Sequence, residues 1–237
     1  MKETILVAGS NGAIGRAVCE AILAEGRYKL LTISRAPAHF SGAEHLTTDL
    51  SQPESVPSVS TWLKGMREDL AGVIHCAGLL HNNNVKPEKA LSQLKAEALA
   101  ECISANVLSH VHLAQAVEGL IRKDDPFRWL SISARIGSIE DNRLGGWYSY
   151  RMSKAALNMF IRNLSIEWGR NHSRVSVAAI HPGTTYSPLS EPFTANWPEE
   201  SIFTPDLTAH RVLDCFASLG PEHSGTLYHW DGEVIPW

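Results

Sequence analysis

Short apolar runs alternate with longer helical stretches along the whole chain of 237 residues. The runs are rich in β-branched residues and nearly continuous, which is typical of strands in a parallel sheet that is covered on both faces. We therefore predict an α/β protein with one doubly wound parallel sheet of about seven strands, flanked by helices on both faces. The predicted strands span residues 4–9, 29–34, 44–50, 72–78, 128–133, 174–183 and 225–230, and the predicted helices span residues 13–25, 53–68, 96–121, 147–168 and 205–219.

The composition predicts one domain that binds small molecules. With 44% apolar and 19% charged residues, the chain can bury a sizeable core, and residues 1–237 are expected to form a single domain. The formal charge of -4, without a block of lysine or arginine, gives no reason to expect nucleic acid or a membrane surface as a partner. Because we find neither a signal-peptide core nor a membrane span, we expect a cytoplasmic protein.

No metal site is indicated. The four cysteines lie far apart and include no C-x-x-C pair. His110 and His112 are two residues apart on a predicted helix and therefore face different directions.

Three glycines follow the first strand at intervals of three residues, in the sequence AGSNGAIGRAV. Such a turn lets the N-terminal amides of the next helix approach a pyrophosphate without a Cβ in the way. A tight turn alone is the plainer interpretation, but the strand before it and the helix after it favour a Rossmann-type, dinucleotide-binding domain. The residues expected to bind the cofactor here are Gly9, Ser10, Asn11, Gly12, Ala13, Ile14 and Gly15.

Further candidate residues follow the carboxyl ends of later strands, where open α/β sheets bind their ligands. Inside the predicted helix 147–168, Tyr150 and Lys154 are four residues apart and share one face, whereas Tyr148 points elsewhere. Surface packing would explain such a pair if it stood alone. The strand ends add Asp49, Leu50, Cys76, Ala77, Gly78, Ser133, Pro182 and Gly183.

Taken in order, these motifs resemble the classical short-chain dehydrogenase/reductase family over essentially the whole chain. The resemblance is carried by the glycine turn, Asp49-Leu50, Cys76-Ala77-Gly78, Asn106, Tyr150-x-x-x-Lys154 and Pro182-Gly183. Within that family, the segment ARIGSIEDNRLGGWYSYRMSKAALN is similar to C-factor-like and sniffer-like carbonyl reductases. The resemblance implies an oxidoreductase that transfers hydride between a nicotinamide cofactor and a small carbonyl or alcohol substrate.

The resemblance also implies roles for three side chains. Tyr150 would pass a proton to the carbonyl oxygen, and the ammonium of Lys154 and the oxidised nicotinamide would lower its pKa from about 10 toward working pH. Lys154 would also hydrogen-bond the nicotinamide ribose, and Asn106 would hold a water that links the lysine to solvent. An ordinary polar residue on the exposed side of a helix is the alternative for Asn106.

Two departures from the family pattern affect the site. Ala13 stands where the classical pattern has its second glycine, and the spacing is that of the extended subfamily, although the chain is too short for the additional domain of that subfamily. Ala134 stands where most members have a catalytic serine. We expect Ser133 to supply the missing hydrogen-bond donor, because a strand end is held rigidly, with Ser138 as the alternative from its spacing to the tyrosine.

The end of the second strand predicts NADP as the cofactor, with NAD as the alternative. NAD-dependent relatives usually place an acidic residue here to bind the ribose 2′-hydroxyl, whereas Ser34 is small and Arg35 can pair with a 2′-phosphate. Beyond the sixth strand, Thr185 and Ser187 are expected to contact the cofactor. Ser187 occupies the family's usual threonine position near the carboxamide.

A lid over the site is expected after the sixth strand. Residues 187–203 form a predicted lid loop, in which Phe193, Trp197 and Phe203 either wall an apolar carbonyl pocket or pack against the domain.

An oligomer is also expected. The predicted helices 96–121 and 147–168 should pair in a homodimer or homotetramer, because the second helix carries the additional apolar residues Met152, Ala156, Met159, Phe160 and Trp168.

A catalytically weak, nucleotide-binding regulatory or signalling protein is the alternative function. The alanine at position 134, where most family members have the catalytic serine, favours this alternative.

Overall fold

The computed structural model describes residues 2–66 and 70–237, and the strands in these residues form one sheet. Their order is β3-β2-β1-β4-β5-β6-β7-β8; all neighbouring strands are parallel except β7 and β8, which are antiparallel. The strands are β1 (Thr4–Ala8), β2 (Lys29–Ser34), β3 (Ala43–Thr47), β4 (Leu70–His75), β5 (Phe127–Ile132), β6 (Val175–His181), β7 (Thr226–His229) and β8 (Val234–Ile235).

Helices connect the strands. The α-helices are α1 (Ala13–Glu25), α2 (Ser55–Met66), α3 (Ala96–Ile103), α4 (Ser109–Val117), α5 (Tyr148–Asn171), α6 (Glu191–Thr194) and α7 (Pro205–Ser218). A π-helical turn, Ser104–Leu108, joins α3 to α4. Within the described residues, no helix is both long enough and apolar enough to cross a membrane.

Alternate residues of the central strands enter two cores, one on each face of the sheet. In β1, Leu6 and Ala8 belong to the core that α2, α4 and α5 cover, whereas Ile5 and Val7 belong to the core that α1 and α7 cover. The predicted doubly wound α/β sheet is therefore confirmed.

The structure corrects several predicted boundaries. The sheet has one strand more than the predicted seven, because the two-residue strand β8 is too short to show a sequence pattern. The predicted helix 96–121 is interrupted by the π-helical turn and ends in a 3-10 turn, Glu118–Leu120. The predicted helix 53–68 is described as Ser55–Met66, and residues 67 and 68 lie outside the described residues.

The apolar residues predicted for an oligomer surface on α5 divide into two groups. Met152 and Met159 are exposed, at 39% and 61%. Trp168 instead lies in the core, with its ring centroid 5.8 Å from that of Trp129. The apolar surface of α5 is therefore smaller than the sequence predicts.

Candidate active site

Close backbone contacts build the glycine turn between β1 and α1. Gly9 has a left-handed φ of 77°, and a Cβ placed on it would lie 2.5 Å from the backbone nitrogen of Ala77. A Cβ on Gly15 would lie 2.2 Å from the carbonyl oxygen of Gly9, whereas a Cβ on Gly12 would lie 3.4 Å from that oxygen. Packing therefore requires glycine at 9 and 15. Gly12 is exposed where α1 begins and where the helix amides lack intrahelical acceptors.

The neighbouring residues fasten this turn to β2. The amides of Gly9 and Ser10 both donate to the carbonyl of Ile33, at 2.8 and 3.2 Å. Asn11 Nδ2 donates to the carbonyl of Ala36, at 2.9 Å. Ala13 and Ile14 follow as the first, half-buried residues of α1.

The two residues predicted to select the cofactor differ in exposure. Ser34 is buried, and its hydroxyl donates to the carbonyl of Ala36, at 2.6 Å. Arg35 is exposed beside the glycine turn. The structure thus has an accessible positive charge where the sequence predicts a 2′-phosphate.

The ends of β3 and β4 contribute a second group of predicted residues. Asp49 accepts a hydrogen bond from the amide of Ser51, at 2.9 Å, and Leu50 is buried. The amide of Cys76 donates to the carbonyl of Ala8, at 2.8 Å, which holds the end of β4 against the glycine turn through Ala77. Gly78 is exposed, and a Cβ on it would lie 3.4 Å from Asn106 Oδ1 and 3.6 Å from Lys154 Nζ.

Tyr150, Lys154 and Asn106 meet at the same edge of the sheet. The Lys154 ammonium donates to the carbonyl of Ile132, at 3.0 Å, and lies 5.9 Å from the ring centroid of Tyr150. Asn106 occupies the π-helical turn and is fully buried; its side chain donates to Ser153 Oγ, at 2.9 Å. The Ser153 hydroxyl donates to the carbonyl of Tyr150, at 2.8 Å.

Asn106 also fixes the loop after β4. Its Oδ1 accepts from the amide of Leu79, at 2.6 Å, and its Nδ2 donates to the carbonyl of Leu79, at 2.8 Å. A π-helical turn inside a longer helix is frequent at functional sites, because it redirects a side chain without ending the helix. Because Asn106 is fully buried, the alternative of a polar residue on the exposed side of a helix is wrong.

Burial controls the protonation of both titratable side chains. Burial lowers the pKa of Lys154 to about 8 and raises the pKa of Tyr150 well above its usual value of about 10. Without a cofactor, Tyr150 is therefore a neutral phenol. The expected lowering of its pKa would depend on the positive nicotinamide ring in addition to Lys154.

Two buried histidines line the protein interior near Lys154. The rings of His75 and His110 stack with their centroids 3.5 Å apart, and His110 Nδ1 pairs with Ser131 Oγ, at 3.0 Å. Burial lowers the pKa of His75 to about 3 and the pKa of His110 well below its usual value, so the pair is uncharged. His112 faces another direction, with its Nδ1 2.8 Å from the carbonyl of Leu50, as predicted from the helix spacing.

The two candidate serines have different partners. The Ser133 hydroxyl donates to Asn158 Oδ1, at 2.6 Å, on the turn of α5 that follows Lys154. Ser138 Oγ accepts from the amide of Asp141, at 3.1 Å, and the side chain is buried. Ser133 thus commits its one proton to a protein acceptor. In its hydrogen bond with Asp141, Ser138 is the acceptor, so its hydroxyl proton can be donated to another group.

A tight turn brings Ser138 back toward α5, as the spacing argument requires. Residues Arg135–Gly137 form a 3-10 turn that Ala134 caps, and the amide of Ser138 donates to the carbonyl of Arg135, at 2.9 Å. A Cβ on Gly137 would lie 2.8 Å from Lys154 Cβ. The turn therefore packs directly on the helical turn that carries the lysine.

Beyond β6, the predicted cofactor residues pack against the following segment. Pro182 is buried, and a Cβ on Gly183 would lie 2.4 Å from the ring of Phe203. Thr185 Oγ1 pairs with Thr208 Oγ1 of α7, at 2.8 Å. Ser187 Oγ donates to the carbonyl of Thr185, at 3.2 Å.

The predicted lid, residues 187–203, contains α6 and a 3-10 turn, Glu199–Ser201. Phe203 packs against the domain, at Gly183 and against the ring of Trp230, with ring centroids 5.0 Å apart. Trp197 is 51% exposed. Phe193 is the lid aromatic that comes close to the site.

Two residues that were not predicted to belong to the site, Trp147 and His81, contact the ring of Phe193. The ring of Trp147 lies 4.9 Å from that of Phe193 and 6.3 Å from that of Tyr150. The ring of His81 lies 5.4 Å from that of Phe193, and His81 Nε2 is 3.1 Å from the carbonyl of Pro188. Trp147 lies three residues before Tyr150, and the presence of an aromatic residue so close to the tyrosine motif could have identified it as part of the site.

Comparison with known proteins identifies the family. The short chain dehydrogenase family matches residues 3–197, and the chain therefore belongs to it, as the motifs predict. Membership makes the chain an oxidoreductase-type enzyme.

Individual proteins agree with this assignment. The chain is 28% identical over 243 residues to 1-hydroxy-2-glutathionyl-2-methyl-3-butene dehydrogenase of Rhodococcus sp. (strain AD45), covering 99% of this chain and 100% of that protein. It is 31% identical over 148 residues to C-signal of Myxococcus xanthus, covering 62% of this chain and 84% of that protein. The carbonyl reductase Sniffer of D. melanogaster has the same fold, with a TM-score of 0.86 at 20% identity and full coverage of both chains.

Proposed function

We propose that this protein is an NADP-dependent oxidoreductase that transfers hydride between the nicotinamide and a small carbonyl or alcohol substrate, with Tyr150 as the general acid or base. The observation that carries the proposal is the convergence of Tyr150, Lys154 and Asn106 beside Gly78, at the edge of the sheet where the glycine turn also lies. The cofactor, when bound, supplies or accepts the hydride.

The chain's own residues would handle the proton. In the reducing direction, the half-buried and neutral Tyr150 donates its phenolic proton to the carbonyl oxygen. Lys154 stabilises the resulting phenolate, because its ammonium is held next to the tyrosine ring by the carbonyl of Ile132. Asn106 would hold the water through which Lys154 exchanges protons with solvent.

The glycine turn and Arg35 support the choice of NADP. The turn leaves space over the exposed Gly12 for a pyrophosphate, at the start of α1, where the first helix amides lack intrahelical acceptors. Arg35 is exposed at the end of β2, where a 2′-phosphate would lie, and the preceding Ser34 is not acidic. Thr185 and Ser187 would contact the nicotinamide end.

The second hydrogen-bond donor to the substrate oxygen would be a serine. Sequence alignment of the strand end favours Ser133, but the contacts favour Ser138. The hydroxyl proton of Ser133 is directed to Asn158, whereas Ser138 lies on the turn that packs on Lys154. A donor aimed at the developing negative charge contributes about 3 kcal/mol.

The substrate would be a small apolar carbonyl compound or the corresponding alcohol. Trp147 and Phe193 present aromatic rings beside Tyr150, which suits an apolar group next to the reacting carbon. The relative from Rhodococcus is named as a dehydrogenase of a hydroxy compound, so both reaction directions should be assayed.

Replacement of the tyrosine tests the proposal. Tyr150→Phe should abolish NADPH-dependent reduction of every aldehyde, ketone or quinone that the wild type accepts, while NADPH still binds, because only the proton donor is lost. Tyr148→Phe is the matched control and should be mild. Loss of activity in Tyr148→Phe with an active Tyr150→Phe would contradict the assignment.

Replacement of Arg35 tests the cofactor. Arg35→Ala should weaken NADPH far more than NADH, because only NADPH has the 2′-phosphate. Equal losses for both dinucleotides would contradict the assignment of NADP.

A nucleotide-binding regulator with little turnover is the second candidate. Ala134 at the usual serine position favours it, and the relative in Myxococcus xanthus is named C-signal. Tight NADPH binding without oxidation of NADPH by any member of the carbonyl panel would support this candidate.

A further inference from the structure

Glu88 is a buried carboxylate that belongs neither to the predicted cofactor-binding residues nor to the predicted catalytic residues. Only 3% of its surface is exposed, although it lies in the loop between β4 and α3. Both carboxylate oxygens face the first turn of α5. Glu88 Oε2 accepts from the amide of Ser149, at 3.2 Å, and Oε1 accepts a short hydrogen bond from the Ser149 hydroxyl.

The N-terminus of α5 needs such a partner. The first amides of a helix have no intrahelical acceptor, and a serine, threonine, aspartate or asparagine at the N-cap usually supplies one. The N-cap of α5 is Trp147, which makes no side-chain capping hydrogen bond. Glu88 supplies the acceptor from 61 residues earlier in the chain and places a negative charge at the positive end of the helix dipole.

The same residue holds a strained turn. Gly145, Gly146 and Trp147 are three consecutive residues with left-handed φ angles of 65°, 63° and 49°. A non-glycine residue in this region is strained and persists only where its surroundings hold it. The amide of Trp147 donates to the carbonyl of Glu88, and a Cβ on Gly146 would lie 3.3 Å from that carbonyl oxygen.

From these contacts we infer that Glu88 is a positioning residue, which fixes the start of α5 and thereby sets the location of the Tyr150 hydroxyl. Ser149, the residue that Glu88 binds, directly precedes Tyr150, and the turn that Glu88 holds carries the Trp147 ring that contacts the tyrosine. The inference rests on the proposed function, because it assigns Glu88 to the alignment of a proton donor.

Loss of the carboxylate should therefore change turnover more than binding. A misplacement of about 1 Å in a proton-transfer group can cost about 100-fold in rate. Glu88→Ala should lower kcat about 10- to 100-fold, while the Kd for NADPH changes less than about twofold, because the glycine turn and Arg35 lie on other strand ends. Glu88→Gln keeps an oxygen that can accept from the Ser149 amide, and should retain most of the activity.

The test compares Glu88→Ala and Glu88→Gln with Glu97→Gln, which removes an exposed carboxylate from the first turn of α3. Each variant is assayed well below its unfolding temperature, after circular dichroism has shown that it is folded. Ser149→Ala, which removes only one of the two hydrogen bonds, replaces Glu88→Ala if that variant does not fold. Wild-type kcat in Glu88→Ala, or equal losses in Glu88→Ala and Glu97→Gln, would overturn the inference.

Hydrogen exchange separates this inference from the proposed function. In Glu88→Ala, amides of residues 149–152 should exchange at least about tenfold faster than in Glu97→Gln, while the second half of α5 keeps the wild-type rate. If the wild type reduces no carbonyl compound, the proposed function fails, but exchange still tests the anchor. Unchanged exchange in Glu88→Ala overturns the inference, as does faster exchange with wild-type kcat in an active enzyme.

Discussion

Two glycines of the glycine turn should have different roles: Gly15 is required for stability, whereas Gly12 is required for cofactor binding. A Cβ on Gly15 would lie 2.2 Å from the carbonyl oxygen of Gly9 and 2.9 Å from its carbonyl carbon. These distances are about 1 Å shorter than ordinary van der Waals contact, and both atoms belong to the backbone, so neither can rotate away. The start of α1 must therefore move away from the turn in Gly15→Ala.

The magnitude follows from two opposing effects. Overpacking typically costs about 1–3 kcal/mol, and a clash with backbone lies at or above the upper end of that range. Alanine gains about 1 kcal/mol of helix propensity over glycine within α1. We expect a net loss of about 2 kcal/mol, which for a chain of this length lowers Tm by about 4–8 °C.

Gly12→Ala should behave in the opposite way. Its Cβ would lie 3.4 Å from the carbonyl of Gly9, and its φ of -71° suits any residue. The loss of a good N-cap, about 0.5–1 kcal/mol, is offset by a similar gain from the stiffer unfolded chain. Tm should stay close to that of the wild type, whereas NADPH binding should weaken at least about tenfold, because the methyl group occupies the phosphate approach.

Thermal unfolding without cofactor and fluorescence titration with NADPH measure the two effects separately. A wild-type Tm in Gly15→Ala would show that the turn accommodates a Cβ and that the packing argument is wrong. Wild-type NADPH affinity in Gly12→Ala would show that the pyrophosphate does not pass over this residue.

Three further predictions concern the catalytic face and its surroundings. Ser138→Ala should lower kcat about 100-fold with little change in NADPH affinity, and Ser133→Ala should have the smaller effect; the reverse order in steady-state kinetics would return the donor role to Ser133. Because the pKa of Lys154 is lowered to about 8 in the folded protein, the unfolded state binds more protons between pH 8 and about 10.4. Rising pH should therefore stabilise the wild type relative to Lys154→Met by about 3 kcal/mol across that window, as measured by urea unfolding. A constant difference in stability between the two proteins would contradict the lowered pKa. Met159→Glu should convert the expected dimer or tetramer to smaller species in light scattering, and a monomeric wild type at micromolar concentration would contradict the predicted oligomer.

The parts of the site that the sequence predicts are local in the chain. Tyr150 and Lys154 share one helical face because they are four residues apart, and no distant contact is needed to bring them together. The glycine turn is local in the same sense, since Gly9 and Gly15 contact each other across six residues. The alternation of strands and helices then places both groups at the carboxyl edge of the sheet.

The parts that the sequence does not predict depend on where distant segments return. Phe203 is an aromatic residue of the kind that walls apolar pockets, yet the chain packs its ring against Gly183 and Trp230. The choice between the two serines depended on whether the chain turns tightly after Ala134, which periodicity does not reveal. Glu88 lies in a polar loop, and its role becomes visible only when α5 is packed against that loop.

These contacts hold the two reacting groups of α5 from several sides. Glu88 holds the helix start, Asn106 contacts the tyrosine turn through Ser153, and the carbonyl of Ile132 holds the Lys154 ammonium. None of these contacts comes from the predicted lid. The lid instead reaches the site through the ring of Phe193, which lies beside Trp147 and His81, and through the carbonyl of Pro188. Substitutions at Phe193 should therefore change the space offered to a substrate while the tyrosine and lysine keep their places, which separates a residue that would select the substrate from those that would move the proton.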